Sequence, residues 1–303
     1  MLNQKTVSRL QSEIAGQVRF DEPMCAHTSF RIGGPADALV VPSDTEDICK
    51  ILRISQEEQS PLTVVGNGSN LLVRDKGIRG IVLKLGNALK HWEHTGDTFI
   101  FESGVSLAQC CRIIGDAGYT GMEFAVGIPG SLGGAVYMNA GGYDGEMWNT
   151  VVSVQVMTRD GNINTLGSED LQFAYRHSAL QASDLIVLEV TLQVKPGSKT
   201  AIQAKMNDFS QRRISKQPLD MPSAGSTFKR PEGRFVGQMV EESGLKGFRI
   251  GGAEVSVKHA GFIVNADHAT AADVLQLIGF IKKKIFDNYN VILIPEVMVL
   301  GEE

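Results

Sequence analysis

Apolar residues recur along this chain with two different periods, which divide it into alternating strand and helix candidates. Residues 36–41 form a short apolar run that predicts a strand. Ser43-Asp44-Thr45-Glu46 then has the spacing of a capping box that opens a helix reaching about Gln59. Residues 62–65 and 78–85 read as further strands and are followed by a charged hairpin region. Ser106 is placed to cap a helix ending near Gly118, a residue suited to the left-handed position past a helix end. Strand patterns resume from Val151, and 185–194 is the strongest of them. Lys195-Pro196-Gly197-Ser198-Lys199 has linker composition. Beyond it come a helix to about Lys216, a loop over 217–226, a helix over 235–243 before Gly244, and strands at 253–257 and 262–264. Thr270-Ala271-Ala272-Asp273 opens a last helix whose apolar positions (Val274, Leu277, Ile278, Ile281, Ile285) follow the 3.6 period, and 291–300 reads as a closing strand.

Composition narrows the classes. A chain of 303 residues suggests two or three domains, and 43% hydrophobic with 21% charged residues is ordinary for a globular protein. The net charge of −5 argues against broad nucleic-acid or anionic-membrane binding, which needs a basic field, while leaving room for an anionic small substrate. No apolar stretch approaches the ~18–20 residues of a membrane span, and the N-terminus lacks a signal-peptide core. A soluble, cytoplasmic monomer is therefore expected. The cysteines (Cys25, Cys49, Cys110, Cys111) contain no C-x-x-C, and an adjacent pair is poor geometry for a bridge. Cys49 and Cys110 sit in helical apolar patterns and read as small hydrophobes. His91 and His94 lie in the charged hairpin and read as solvated surface, so no metal site is expected.

Three features stand out against this background. Gly66-Asn67-Gly68-Ser69-Asn70 follows a strand, lacks the third glycine of a Rossmann fingerprint, and suits either a tight turn or an anion-holding nest of N–H groups. Residues 127–142 hold Gly127, Gly130, Gly133, Gly134, Gly141 and Gly142 with no charge. Since glycine costs about 0.5–1 kcal/mol per residue in regular structure, the run needs a compensating gain, either backbone packed on a large flat ligand or close packing within the chain. Glu296 is the sole charge in 291–300, open to reading as an edge-strand gatekeeper or as a catalytic carboxylate.

Taken in order, G-N-G-S-N (66–70), G-I-P-G-S-L-G-G-A-V-Y-M-N-A-G (127–141), Tyr175-Arg176, A-G-S-T-F-K (224–229) and P-E-V (295–297) resemble the UDP-N-acetylenolpyruvoylglucosamine reductases, in their shorter subtype. The resemblance implies an α+β fold: a two-part FAD-binding region of the vanillyl-alcohol-oxidase type over 1–200, divided near 78–85. A C-terminal α+β substrate domain would follow over 201–303, with the last strand packing back on the FAD region. It implies non-covalent FAD, NADPH as co-substrate, and reduction of an enolpyruvyl UDP-sugar in peptidoglycan precursor synthesis. Carried over by position, Gly66, Asn67, Gly68, Ser69 and Asn70 would meet the FAD pyrophosphate. Gly127, Gly130, Ser131, Gly133 and Gly134, with Asn139, would line the flavin. Arg176, Ser226 and Glu296 would be catalytic, and Tyr175 and Lys229 would contact substrate. His177 departs from the Y-R-D-S of one subtype. An oxidase on the same flavin fold and a non-catalytic flavin-binding module are the rival classes.

Overall fold

The computed structural model describes residues 2–86 and 88–303. Its chain folds into two compact units that are not contiguous in sequence. One comprises residues up to 20, 38–67 and 80–213, and the other 21–37, 68–79 and 214–303.

In the first unit a five-stranded antiparallel sheet runs in the order Ile163–Gly167, Val151–Met157, Ile186–Gln193, Thr98–Glu102, Trp92–Thr95. Its apolar face, including Phe99, Phe101, Val154 and Val190, buries the helix Leu107–Ala117 through Leu107, Cys110, Cys111 and Ile114. Ser106 caps that helix by accepting from the Gln109 N–H, and Gly118 closes it in the left-handed region at φ 90°, as the sequence predicts. A second sheet has the order Gln17–Pro23, Pro35–Val41, Ile78–Lys84, Leu62–Val65, its last two strands parallel. Helices Gln4–Glu13 and Thr45–Glu57 contribute Leu10, Ile48, Ile51 and Ile54 to a core with Ala38, Val40, Ile81 and Leu83.

The capping residue of Thr45–Glu57 is Asp44, one position later than the expected Ser43 box. Asp47 is the reason. Its carboxylate is buried and accepts from Ser43 N, Ser43 Oγ, Ala15 N and Gly16 N at 2.8–3.0 Å, so Ser43 is held by the third residue of the helix instead of capping it. The expected linker at 195–199 is also partly paired: Lys195–Pro196 lies antiparallel to Tyr119–Thr120, and the next helix, Lys199–Lys216, begins at once.

The second unit centres on a four-stranded antiparallel sheet in the order Ser223–Ser226, Phe262–Asn265, Ala253–Val255, Arg249–Ile250. Helix Ala271–Tyr289 covers it with Val274, Leu277, Ile278, Ile281 and Ile285, and its capping box is formed by Thr270 and Asp273 as the sequence predicts. The closing strand is shorter than expected. Met298–Leu300 forms the strand, in parallel with Leu71–Val73, while 291–297 is extended chain with an isolated bridge at Pro295. Pro295 supplies no N–H, and only Leu293 and Val297 of that segment are buried. No described helix is long and apolar enough to cross a membrane.

Burial alone would raise the Asp47 pKa, but its backbone and hydroxyl donors outweigh that and hold it below the usual aspartate value. Asp47→Ala should therefore cost about 2–3 kcal/mol in urea unfolding at neutral pH. A carboxylate depressed on folding stabilises fully above its unfolded pKa of ~3.9, and that stabilisation is lost as pH falls through the folded value. The gap between wild type and variant should close in acid, and a pH-independent gap would contradict this account.

Candidate functional site

Ser226 and Glu296 come together within the second unit. Thr227 is the pivot: it donates N–H to Gly261 O (2.9 Å), accepts from Ile263 N at Oγ1 (3.1 Å), and accepts from Glu296 N at its carbonyl (2.9 Å). Phe228 bridges Pro295 antiparallel, and Lys229 N donates to Ile294 O at 2.8 Å. Residues 226–229 and 294–296 thus run side by side, which puts Ser226 and Glu296 on adjacent segments. Ser226 is exposed and follows Gly225, whose φ of 78° aims the chain into the turn. Glu296 and Lys229 are partly buried. Asn70 Nδ2 donates to Glu296 O (3.1 Å) and Asn70 O accepts from Met298 N (2.9 Å), so this member of the G-N-G-S-N loop also fixes the Glu296 backbone.

Arg176 sits in the first unit at a tight turn. Ala174 and His177 exchange both backbone hydrogen bonds, leaving Tyr175 and Arg176 between them, with Arg176 at φ 53°. That conformation is disfavoured for a side chain with a Cβ and is held from outside. Asn139 Nδ2 donates to Ala174 O (2.9 Å) and Gln181 Nε2 to Arg176 O (3.2 Å). The guanidinium donates to Gly141 O (2.9 Å), stands 3.9 Å from Glu146 Oε1, and lies 4.9 Å from the centre of the exposed Tyr175 ring. The buried Asn139 amide also donates to Glu146 Oε2 (3.0 Å) and its Oδ1 accepts from Trp148 N (3.1 Å), so it supports the Arg176 turn.

Sequence reasoning passed over Glu146, Gln181 and Arg213. Arg213 packs its guanidinium over the Tyr143 ring at 5.5 Å, and its side chain fills the space beside Gly127 and Gly142. Burial and the nearby Arg176 lower its pKa. The i, i+4 pair Phe209 and Arg213 on Lys199–Lys216, with Tyr143 stacked on Phe209 at 4.3 Å, was the available signal for Arg213.

The two glycine segments meet. A Cβ on Gly66 would overlap Ser131 Oγ, and one on Gly68, at φ 67°, would overlap the carbonyl of His27. Ser131 caps the short helix Leu132–Tyr137, its Oγ accepting from Gly134 N, while Leu107 N, Leu132 N and Gly133 N pair with Gly130 O, Val105 O and Ser103 O. Gly127 and Gly130 both have positive φ. Among the described residues no acceptor takes the backbone N–H of Asn67, Gly68 or Asn70. No group of three or more His, Cys, Asp or Glu that could hold a metal ion occurs among the described residues.

Comparison with known proteins places these residues in context. Residues 36–167 match the FAD binding domain family, and 217–300 match the UDP-N-acetylenolpyruvoylglucosamine reductase C-terminal domain. The UDP-N-acetylenolpyruvoylglucosamine reductase of Syntrophomonas wolfei is 50% identical over 95% of this chain and 96% of its own. That of Lactiplantibacillus plantarum is 44% identical, with 95% of each chain covered. The crystal structure of the UDP-N-acetylenolpyruvylglucosamine reductase from Thermus caldophilus superposes with a TM-score of 0.78 at 32% identity, covering 95% of this chain and 100% of that one. An alkyldihydroxyacetonephosphate synthase shares the fold over 65% of this chain and 41% of its own, with a TM-score of 0.51 at 15% identity.

The glycines of the loop at 66–70 permit close backbone approach. The contact between Gly66 and Ser131 can be tested by a double-mutant cycle. Gly66→Ala alone should destabilise, and the same change in a Ser131→Ala background should cost less, with a coupling of about 0.5–3 kcal/mol in thermal or urea unfolding. Strict additivity would mean the two segments do not touch.

Proposed function

The chain belongs to the UDP-N-acetylenolpyruvoylglucosamine reductase family, and from that premise we propose that it reduces the enolpyruvyl group of UDP-N-acetylenolpyruvoylglucosamine to UDP-N-acetylmuramate with NADPH as reductant. It is an oxidoreductase with an FAD-binding domain. On this reading the protein works as a cytoplasmic monomer in peptidoglycan precursor synthesis. Residues 1–200 hold FAD, and 201–303 form the substrate part. Gly66 to Asn70 face the pyrophosphate, and Gly127, Gly130, Ser131, Gly133 and Gly134 face the flavin. When bound, FAD supplies the hydride it has taken from NADPH.

The chain's own residues then divide the work. Arg176 binds the substrate carboxylate and the negative charge that develops on it as hydride reaches the methylene carbon. Ser226 Oγ delivers a proton to the carbon beside the carboxylate. Serine is a weak acid, but an enolate is a strong enough base to take its proton. Glu296 hydrogen-bonds the protonated oxygen of that intermediate or orients the cation, Tyr175 packs on the substrate, and Lys229 meets a phosphate. The observation that most supports this assignment is the side-by-side course of 226–229 and 294–296, which puts a hydroxyl and a carboxylate on adjacent segments.

The purified protein should be yellow, and acid precipitation should release FAD into the supernatant. A colourless protein that FAD cannot reconstitute would refute the cofactor assignment. Ser226→Ala should bleach with NADPH at nearly the wild-type rate, because that half-reaction asks nothing of the hydroxyl. Reoxidation by the UDP-enolpyruvyl sugar should slow by ~10²–10⁴-fold, or about 3–5 kcal/mol of barrier. Glu296→Gln should likewise slow only reoxidation. Single-turnover stopped-flow reads both steps from one flavin signal, and normal reoxidation in either variant would remove that residue from the mechanism.

A further inference from the structure

Arg176 is a long cation on a strained turn, and its usefulness to a substrate carboxylate depends on where its guanidinium is held. Among the groups that hold it are the Gly141 carbonyl at 2.9 Å and the Glu146 carboxylate at 3.9 Å. The second distance is beyond hydrogen bonding, so Glu146 acts on Arg176 as a charge. Glu146 is itself fixed. Its Oε2 accepts from Asn139 Nδ2 at 3.0 Å, its side chain accepts from the Asn149 backbone, and its own N–H donates to Asn149 Oδ1 at 2.8 Å. The same Asn139 amide nitrogen donates to Ala174 O, at the start of the Arg176 turn. One buried amide therefore ties the backbone under Arg176 to the carboxylate beside its guanidinium.

The surrounding charges sharpen the role. Arg213 lies close enough to Arg176 for the two cations to oppose each other, and Asp144 is engaged by Lys205 at 2.8 Å. Glu146 is thus a carboxylate that faces Arg176 within this cluster.

We propose that Glu146 is a positioning residue: its carboxylate, set by Asn139, orients the Arg176 guanidinium for the carboxylate of the substrate. This rests on the reading of Arg176 as the residue that binds that carboxylate. It has a consequence that a purely structural role lacks. Glu146 competes with the substrate carboxylate for the same cation, so removing its charge should strengthen binding, or leave it unchanged, while weakening orientation.

Glu146→Gln is the discriminating variant, because its amide oxygen can still accept from Asn139 and from the Asn149 backbone while the charge is gone. FAD content, thermal midpoint and bleaching by NADPH should match wild type. Reoxidation at saturating UDP-enolpyruvyl sugar should slow at least ~10-fold, with half-saturation unchanged or lower. Glu146→Asp, which keeps the charge at shorter reach, should fall between wild type and Glu146→Gln. Reoxidation by Glu146→Gln within twofold of wild type overturns the proposal, as does an aspartate variant no faster than the glutamine one. Loss of flavin or fold in both variants also overturns it, since Glu146 would then be structural. Arg176→Lys separates the two levels. If it loses reoxidation while Glu146→Gln keeps it, only the positioning role fails, whereas normal reoxidation in Arg176→Lys removes the reading of Arg176 and this proposal with it.

Discussion

Backbone polar groups that leave regular structure still need partners, and in this molecule that requirement decides where the side chains proposed to react stand. Arg176, Ser226 and Glu296 all lie at or beyond the ends of helices and strands. In each case a short polar side chain closes a backbone group nearby. Asn139 takes up Ala174 O, Gln181 takes up Arg176 O, Asn70 takes up Glu296 O, and Thr227 Oγ1 receives Ile263 N beside Ser226. Irregular backbone pinned in this way can hold a side chain as firmly as a strand does, yet is free to turn it in a direction that pleat geometry would forbid. The positive φ at Arg176 is the clearest instance.

The electrostatics follow the same division. Carboxylates that serve architecture are saturated with donors: Asp47 collects four hydrogen bonds, and Asp75 accepts from Ala271 N and Ala272 N at the start of the longest helix. Around Arg176 the setting is different: Arg213 is near enough to oppose it, and the Glu146 carboxylate stands 3.9 Å away. The buried thiols lie at the opposite extreme. Burial, with Glu123 nearby, pushes Cys111 up to about 12 and moves Cys110 in the same direction, so neither offers the thiolate that a covalent flavin tether would require.

Local patterns were legible in the sequence wherever a few neighbouring residues decide the outcome. The helix from Leu107 shows both its cap and its terminating glycine in the sequence, and Thr270 with Asp273 marks the start of another. Legibility failed where a partner far along the chain intervenes. Ser43 yields the cap because Asp47 also has to satisfy Ala15 and Gly16. The 291–297 segment has strand composition but is pinned by Thr227, Phe228 and Asn70 instead of lying in a sheet. Motifs compared with a known family point to Arg176, Ser226 and Glu296, whereas Glu146 carries no local signature and Arg213 only its i, i+4 spacing to Phe209, and both stand out once Asn139, Tyr143 and Gly127 are placed in space.

The glycine-rich stretch shows how two readings of one composition can both hold. Part of its glycine content answers to the protein itself. Ser131 occupies the space a Gly66 side chain would need, Ser103 Cβ would lie 2.9 Å from a Cβ on Gly133, and Phe124 packs where Gly145 has none. Close packing of chain on chain therefore accounts for those positions without any ligand. Gly134 is different: a Cβ there would meet nothing within 4 Å except Ser131 Oγ at 3.3 Å. That contact is tight, and the Ser131 hydroxyl, which also accepts from Gly134 N, would have to give way to a side chain there. Ser131 is thus the side chain on which Gly66 and Gly134 both close, so the glycine content of the two segments answers in part to one serine.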